Sequence, residues 1–506
     1  MKLFSIIFLI ILFSILANLV PKKGNLFFFI SLFFVFSSYF MITKHFYHIN
    51  NLYPSEKLLC YHSCVNYYNL IVKSLKNYKL YICEDNENLL SKDPNLYKNY
   101  QISYKNFKNI PSLFDTSYYK GKLYLYFGIT PVLLFYLPFN LITNLYLTDK
   151  LLVLILSCFI FLFSLIIIKK ISDRITVIQN IPPNILVLCI FITGFCNLLP
   201  FLVIKSSIYE VAITTAIFLL LLSIYIFYNY MYAQTKSNKY ILLFCLSFTL
   251  CLSVGARPYY VLFIPIFFIA IIWLTYKETE SINQIIVSIL YFLIPCLLYG
   301  TIIALYNYLR FDSIFEFGWK YQLNPLNQYD YFINLQDLLK GLCNNFFHLP
   351  LIDDKTFFSL SPTVGHSLGN DEIVGFIWSY PLSYMLIFLP IFLKKLYKHD
   401  IKIFTLLFIM IIMIIISIIV TSFIGMITRY MVEYLSLINI LSLIIFIFYI
   451  NYVDDKNLKK TLNFLFIIFF AYSMFINISL LFCKKAAAFY AITSADNYKF
   501  LINLLF

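Results

Sequence analysis

The residues best placed to do chemistry sit where polar loops meet apolar runs. Asp115, in Phe114-Asp115-Thr116-Ser117-Tyr118-Tyr119-Lys120-Gly121-Lys122, lies directly before Leu123-Tyr124-Leu125-Tyr126-Phe127-Gly128-Ile129-Thr130-Pro131. A carboxylate there can accept a proton from an acceptor hydroxyl, and Lys120 and Lys122 can attract a phosphate. The competing reading is a turn or N-cap aspartate in a solvated loop. Arg257, in Gly255-Ala256-Arg257-Pro258-Tyr259-Tyr260, stands between two apolar runs. A guanidinium held at a membrane boundary suits a lipid-linked phosphate, because it offers paired donors in a planar fork; snorkelling without a ligand is the alternative. Arg429, in Thr428-Arg429-Tyr430-Met431-Val432-Glu433, repeats the arrangement, although Glu433 four residues on offers an intrahelical ion pair. Glu210, in Tyr209-Glu210-Val211, opens a helix and is either a favourable charge at its positive end or part of an acceptor pocket. Tyr118, Tyr119 and Glu316 complete the acceptor or sugar-pocket candidates, Glu316 within an aromatic loop that also holds Arg310, Trp319 and Lys320.

Metal chemistry has weak support. Cys60-Tyr61-His62-Ser63-Cys64 with Cys83 does not follow a zinc spacing, and Asp353-Asp354 with His366 would need the loop to gather them. No nucleotide-binding glycine loop, G-x-S-x-G elbow or H-E-x-x-H pair occurs in the chain. No metal site and no cofactor are expected, and nothing singles out a divalent cation.

The elements that position these residues follow from composition. Of 506 residues, 61% are hydrophobic and 12% charged, with mean hydropathy +0.82. A water-soluble body would lack the polar surface to cover itself, so the chain is an all-α integral membrane protein. Charge-free runs as long as a spanning helix exclude an outer-membrane β-barrel, and the net charge of +14 is spread through loops without a compact basic domain, which excludes nucleic acid. Candidate spans are 3–20, 25–43, 123–147, 151–168, 184–204, 211–228, 240–256, 258–276, 286–306, 373–393, 403–424, 434–450 and 461–482. The segment 123–147 carries Gly128, Pro131, Pro138, Asn140 and Asn144, which suits an interfacial or broken helix, and leaves about 12 spans. If it crosses instead, the 44–122 loop is cytoplasmic.

Lysines and arginines in the short loops, Lys169-Lys170 with Arg174, Lys236 to Lys239, Lys394-Lys395 with Lys398 and Lys402, and Lys456 to Lys460, fall on one side, which the positive-inside pattern makes cytoplasmic. The expected organisation is an N-terminal hairpin at 1–43, an external loop with a juxtamembrane helix at 44–150, a bundle at 151–306, a second external loop at 307–371, further spans at 372–482 and a tail at 483–506. A cleavable signal at 1–20 is disfavoured, since no small-residue cleavage site follows it.

Taken together, Asp115 to Pro131, Tyr209-Glu210-Val211-Ala212-Ile213, Ala256-Arg257-Pro258, Phe315-Glu316-Phe317-Gly318 and Thr428-Arg429-Tyr430 resemble bacterial GT-C-type membrane glycosyltransferases. The likeness is to the branch of the protein mannosyltransferases and lipid A aminoarabinose transferases, and it runs from about 115 to 435 in the same order. It implies a GT-C-like fold in a cytoplasmic membrane with the active site on the external face, and juxtamembrane helices over 123–147. It also implies a polyprenyl-phosphate sugar as donor and a cell-envelope glycan, lipid or protein as acceptor, with membrane lipids around both. Carried over residue by residue, Asp115 would be the base, and Arg257 and Arg429 would hold the donor phosphate. The chain departs from that pattern in having a hairpin before the acidic loop and Thr116 where a second acid is usual. The alternatives are a transporter or flippase of a lipid-linked sugar, which internal repeats would favour though none is visible, and a non-enzymatic envelope assembly protein.

Overall fold

The computed structural model describes residues 26–49, 59–60, 66–82, 116–175, 183–279, 281–322, 335–349, 351–353, 357–359, 361–362, 372–424 and 428–482. The first candidate span, 3–20, lies outside the described residues, as do Asp115 and most of the 44–115 loop. Among the described residues ten helices are long and apolar enough to cross a membrane. The first is α1 (Leu26–Ile49), which runs toward the end of the bundle where 66–82 and 116–147 lie. There α2 (Tyr67–Lys76) is capped by the Asn66 side chain, which accepts from the Tyr68 and Asn69 amides. The hairpin of β1 (Ser117–Tyr119) and β2 (Lys122–Tyr124) turns at Gly121, whose φ of +77° favours glycine.

The segment 123–147 does not cross. Its helical part is a π turn at Val132–Tyr136 followed by α3 (Leu137–Thr143), and twelve residues rise roughly 18 Å, short of the ~30 Å of hydrocarbon. Asn144 ends α3 in the left-handed conformation and the chain enters α4 (Asp149–Ile175) at the same end. The next crossing is bent: α5 (Pro183–Phe195) and α6 (Leu199–Lys205) are joined where Asn197 donates to the Thr193 carbonyl (2.8 Å) and accepts from the Leu199 amide (3.2 Å). Then come α7 (Ile208–Met231), α8 (Lys236–Val254), a 3₁₀ segment Pro258–Phe263 leading into α9 (Ile264–Thr279), and α10 (Ile282–Phe311).

After the second polar region, with its amphipathic α11 (Leu335–Phe347), the run expected as a helix over 373–393 is broken. It divides into α12 (Phe376–Ser379), a 3₁₀ stretch Pro381–Phe388 and α13 (Leu389–His399). Pro381 and Pro390 each remove a helix donor, which is the local reason. The segment nevertheless traverses the bundle: the Gly375 amide donates to the His348 carbonyl at one end (2.7 Å), and Asp400 accepts from the Tyr232 hydroxyl at the other (2.8 Å). Three more crossings follow, α14 (Ile401–Ile424), α15 (Thr428–Tyr452) and α16 (Lys456–Phe482).

Apolar side chains surround these helices on all sides, so their depth in the bundle rather than amphipathicity sorts them. α15 is enclosed along its length, whereas α10 leaves Ile294, Leu297, Leu298 and Ile302 exposed, as a lipid-facing helix does. Several hydroxyls inside the spans bond their own helix: Ser38, Thr43, Ser223 and Thr421 each donate to the carbonyl four residues back. At one point two backbones touch. Gly128 lies against the Gly255 carbonyl so closely that a Cβ at 128 would overlap the oxygen, and the Thr130 amide donates to that same carbonyl (3.3 Å). Gly128→Ala is expected to cost about 1–3 kcal/mol by overpacking. Gly300→Ala, whose Cβ meets nothing within 4 Å, should be neutral or stabilising. Thermal unfolding in detergent compares the two, and equal midpoints would show that the crossing is not tight.

Candidate functional site

Two arginines and two fully buried carboxylates meet at the end of the bundle reached by 116–147 and 307–322. Arg257 leaves α8 at the turn behind Gly255 and is followed by Pro258, which stops the helix and starts the 3₁₀ segment. Its Nε lies 2.9 Å from Oε1 of Glu433, on α15. The second Glu433 oxygen accepts a hydrogen bond from the Tyr259 hydroxyl. Arg429, at the start of α15, points away from Glu433 and faces Glu210, Nη1 to Oε1 3.6 Å. The intrahelical Arg429–Glu433 pair that the spacing allows is therefore replaced by two pairs between elements, since a carboxylate with no exposed surface needs a cation against it.

Glu210 does both things its position permits. It closes a capping box with Ser207, accepting from the Ser207 amide (2.9 Å) and hydroxyl, and it holds Arg429. Aromatic faces hold the guanidinium groups in place. Arg257 lies 4.7 Å from the Tyr430 ring centre, and Arg429 lies 4.1 Å from Tyr209 and 5.6 Å from Tyr430, so Tyr430 stands between the two cations. Tyr209 in turn meets Phe127 edge to face at 5.1 Å, which ties the pair to the segment after the hairpin. The arginine side chains keep 19% and 17% exposure against 0% for both glutamates, so the cationic edges face outward and the carboxylates inward.

The 116–131 segment is docked on the second polar region. Ser117 donates to the Gly318 carbonyl (2.9 Å), where Gly318 adopts φ +98°, and Ser117 pairs with Gln322. Arg310 is buried, donating to the Leu125 carbonyl (2.9 Å) and Asn307 (2.8 Å) with its plane 3.9 Å from the Tyr306 ring centre. Lys120 reaches Asp312 at 2.6 Å, and the Tyr119 hydroxyl donates to the same carboxylate at 3.0 Å. Lys120 and Lys122 are therefore not beside the arginines: the first is paired with Asp312 and the second lies over the Tyr81 ring at 4.7 Å. Tyr118 is fully buried, and Glu316 turns its carboxylate to the amides of Gly318 (2.6 Å) and Lys320 (3.4 Å).

Asp115 lies outside the described residues; its neighbours Thr116 and Ser117 are buried at this same end. Asp149, which sequence reasoning missed, accepts hydrogen bonds from Tyr136 and Asn66 at the start of α4. An acid opening a long apolar run was the available signal. Among the described residues no cluster of three or more His, Cys, Asp or Glu side chains could hold a metal ion.

The fold and this site define a predominantly helical, multi-pass membrane protein with a charged, partly exposed cluster at one end. No family model matches the chain, and no curated protein matches it. It is similar to two structures from Archaeoglobus fulgidus. One is an oligosaccharyltransferase in the apo form, at 11% identity and a TM-score of 0.37, covering 84% of this chain and 55% of that one. The other is the archaeal oligosaccharyltransferase AglB in complex with an inhibitory peptide and a dolichol-phosphate, at 12% identity and 0.33, covering 83% and 55%. The chain thus spans about half the length of each.

Two expectations follow. Glu433→Ala leaves Arg257 without its partner in a buried setting and should cost about 3–5 kcal/mol, most of it recovered when Arg257→Met is added. A double-mutant cycle of melting midpoints tests it, and additive losses would dissolve the pair. At the hairpin, bonding to Lys120 and Tyr119 holds Asp312 below the usual carboxylate range, and bonding to Asp312 holds Lys120 above the usual lysine range. The Asp312 contribution is complete above an ordinary carboxylate pKa and is lost as pH falls through its lowered value. That of Lys120 is complete below an ordinary lysine pKa and is lost as pH rises through its raised value. Amide protection of β1 and β2 should therefore hold through neutral pH and fall on acidification. It should also weaken in high salt, since both side chains are exposed, and Asp312→Asn should flatten the acid limb. A pH-independent protection would exclude the pair as the latch.

Proposed function

We propose that the chain is a membrane glycosyltransferase that moves a sugar from a polyprenyl-phosphate-linked donor to a cell-envelope glycan, lipid or protein acceptor. The observation that carries this reading is the Arg257–Arg429 cluster. Two guanidinium groups share the Tyr430 ring at one end of an apolar bundle, each backed by a buried glutamate that fixes its orientation and each with an edge exposed. A donor whose lipid tail stays in the bilayer presents its phosphate at that depth. Preoriented cations there stabilise the charge that develops on a leaving phosphate.

The orientation of the bundle agrees. Lys169, Lys170 and Arg174, Lys236 and Lys239, Lys394, Lys395 and Lys398, and Lys456, Lys459 and Lys460 all belong to the opposite end. By the positive-inside rule that end is cytoplasmic, and the arginine cluster, the 116–147 segment and the second polar region are external. The reaction would be an inverting displacement. The acceptor oxygen attacks the anomeric carbon as the bond from that carbon to the phosphate oxygen breaks. The electron pair leaves with the polyprenyl phosphate toward Arg257 and Arg429, and Asp115 takes the acceptor proton. Glu210 and Glu433 act as positioning residues behind the arginines.

With membranes charged with a radiolabelled polyprenyl-phosphate hexose, Asp115→Asn should reduce transfer about 10²–10⁴-fold at unchanged membrane insertion. Arg257→Lys and Arg429→Lys, which keep charge but lose the fork, should weaken transfer with the fold intact. Full activity in Asp115→Asn would overturn the base assignment. Movement of labelled donor across the membrane without release of polyprenyl phosphate would replace the transferase reading with that of a transporter.

A further inference from the structure

At the end opposite the arginine cluster, a cavity of about 180 Å³ opens between the C-terminal ends of α7 and α9 and the N-terminal ends of α8 and α10. Its polar lining includes Gln234, Lys236, Lys239, Glu278, Gln284 and Ser288. The charges around it are organised and unequal. Glu278 is held on both oxygens, one by Lys239 and the other by Lys402 at 2.6 Å, so its charge is spent within the protein. Lys402 also donates to the Met231 carbonyl (2.6 Å), covering the negative end of α7. Lys239 keeps donors beyond its one contact with Glu278, because an ammonium carries three.

Three further donors in the lining, those of Lys236, Gln284 and Ser288, have no protein partner among the described residues. Ser288 is only 4% exposed and lines the cavity. Single hydroxyls elsewhere in the spans, those of Ser157, Thr215, Ser436, Ser442 and Ser473, also lack a partner, so it is the convergence of Lys236, Lys239, Gln284 and Ser288 on one cavity that points to a ligand supplying acceptors. The first turns of α8 and α10 contain no acid, and both helices direct their positive ends to this level.

The ligand must also tolerate a lipid-facing border. Ile282 and Ile286 on α10 are exposed, and Tyr291 on α10 stacks with Tyr240 on α8, ring centres 5.0 Å apart at 11°. A phosphate in the cavity would thus carry its hydrocarbon along an aromatic and aliphatic wall that a free phosphate would not use. We propose that this cavity binds the phosphodiester headgroup of an anionic phospholipid of the basic-side leaflet, with Lys236, Lys239, Gln284 and Ser288 as the recognising donors. Such a site is distinct from the arginine cluster and does not depend on the transferase reading. Basic pockets between helices on the cytoplasmic side of a membrane are suited to such headgroups.

The test uses the full chain in nanodiscs of phosphatidylcholine alone or with 20 mol% phosphatidylglycerol, and measures the melting midpoint and retention of lipid by native mass spectrometry. Wild type should retain phosphatidylglycerol through delipidation and melt several degrees higher with it than without, and millimolar inorganic phosphate should not reproduce the shift. Lys236→Gln with Gln284→Leu, both outside the ion pairs, should melt as wild type does in phosphatidylcholine and lose at least tenfold in phosphatidylglycerol retention. Should that variant unfold, Lys236→Gln alone, on an exposed side chain, keeps the comparison. Undiminished retention in the variant would overturn the proposal, as would a shift equally produced by inorganic phosphate or by phosphatidylcholine of the same chain length.

Discussion

Two carboxylates, Glu210 and Glu433, set the terms for one end of this molecule. Each has no exposed surface in a largely apolar bundle, and an ionised carboxylate in such a place persists only against a cation. The cations come from other elements: Arg257 from the turn between α8 and the 3₁₀ segment, Arg429 from the start of α15. A local solution, Arg429 with Glu433 one turn away on the same helix, would have neutralised one acid and bound nothing together. The crossed arrangement ties α7, α15 and the 255–258 turn, and Tyr430 sits between the two guanidinium groups as their common face.

The second tie is made of backbone. The 116–131 segment leaves the membrane region only in the sense that it does not cross; it is pressed against the bundle at the Gly128–Gly255 crossing, where neither residue has room for a side chain. Arg310 adds a buried donor to the Leu125 carbonyl, and Ser117 reaches Gly318 across the two polar regions. Two residues after Arg257's neighbour in that crossing the chain is already in the arginine cluster, so the same contact that seats the hairpin also fixes where Arg257 emerges. Loop residues therefore have the positional definition of helix residues, which a site built on them requires.

How much of this was legible beforehand depended on the range of the interaction. Long apolar runs gave the crossings directly, and Pro131, Pro138 and Asn144 in 123–147 accompany a helical stretch, Val132–Thr143, that is too short to span. The same kind of signal, Pro381 and Pro390, lies in 373–393, but the run around it is uniformly apolar, and composition alone does not separate a broken crossing from a continuous helix. Partners far apart in sequence were not legible at all: nothing local relates Arg257 to Glu433, 176 positions on. Where a local partner was visible, at Arg429 and Glu433, its spacing pointed to the wrong pair. Asp312 and Asp149 were passed over because one looks like a turn residue and the other like a helix-opening charge, and their roles come from Lys120, Tyr136 and Asn66 in other segments.

The two ends of the bundle handle charge by opposite means, and that difference is itself informative. At the arginine end, Arg257 and Arg429 are oriented by buried acids and flanked by aromatic faces, so their field is directed and little of it is lost to water. At the other end most of the cations are lysines, several of them exposed on flexible stems, while Lys239 and Lys402 are held by Glu278. A protein that only needed anchoring would have had no use for the first arrangement, since snorkelling lysines suffice to hold a helix end at an interface. Holding two guanidinium groups rigid costs the burial of two carboxylates, and that expense is intelligible where an anion with paired acceptor oxygens has to be met in one orientation.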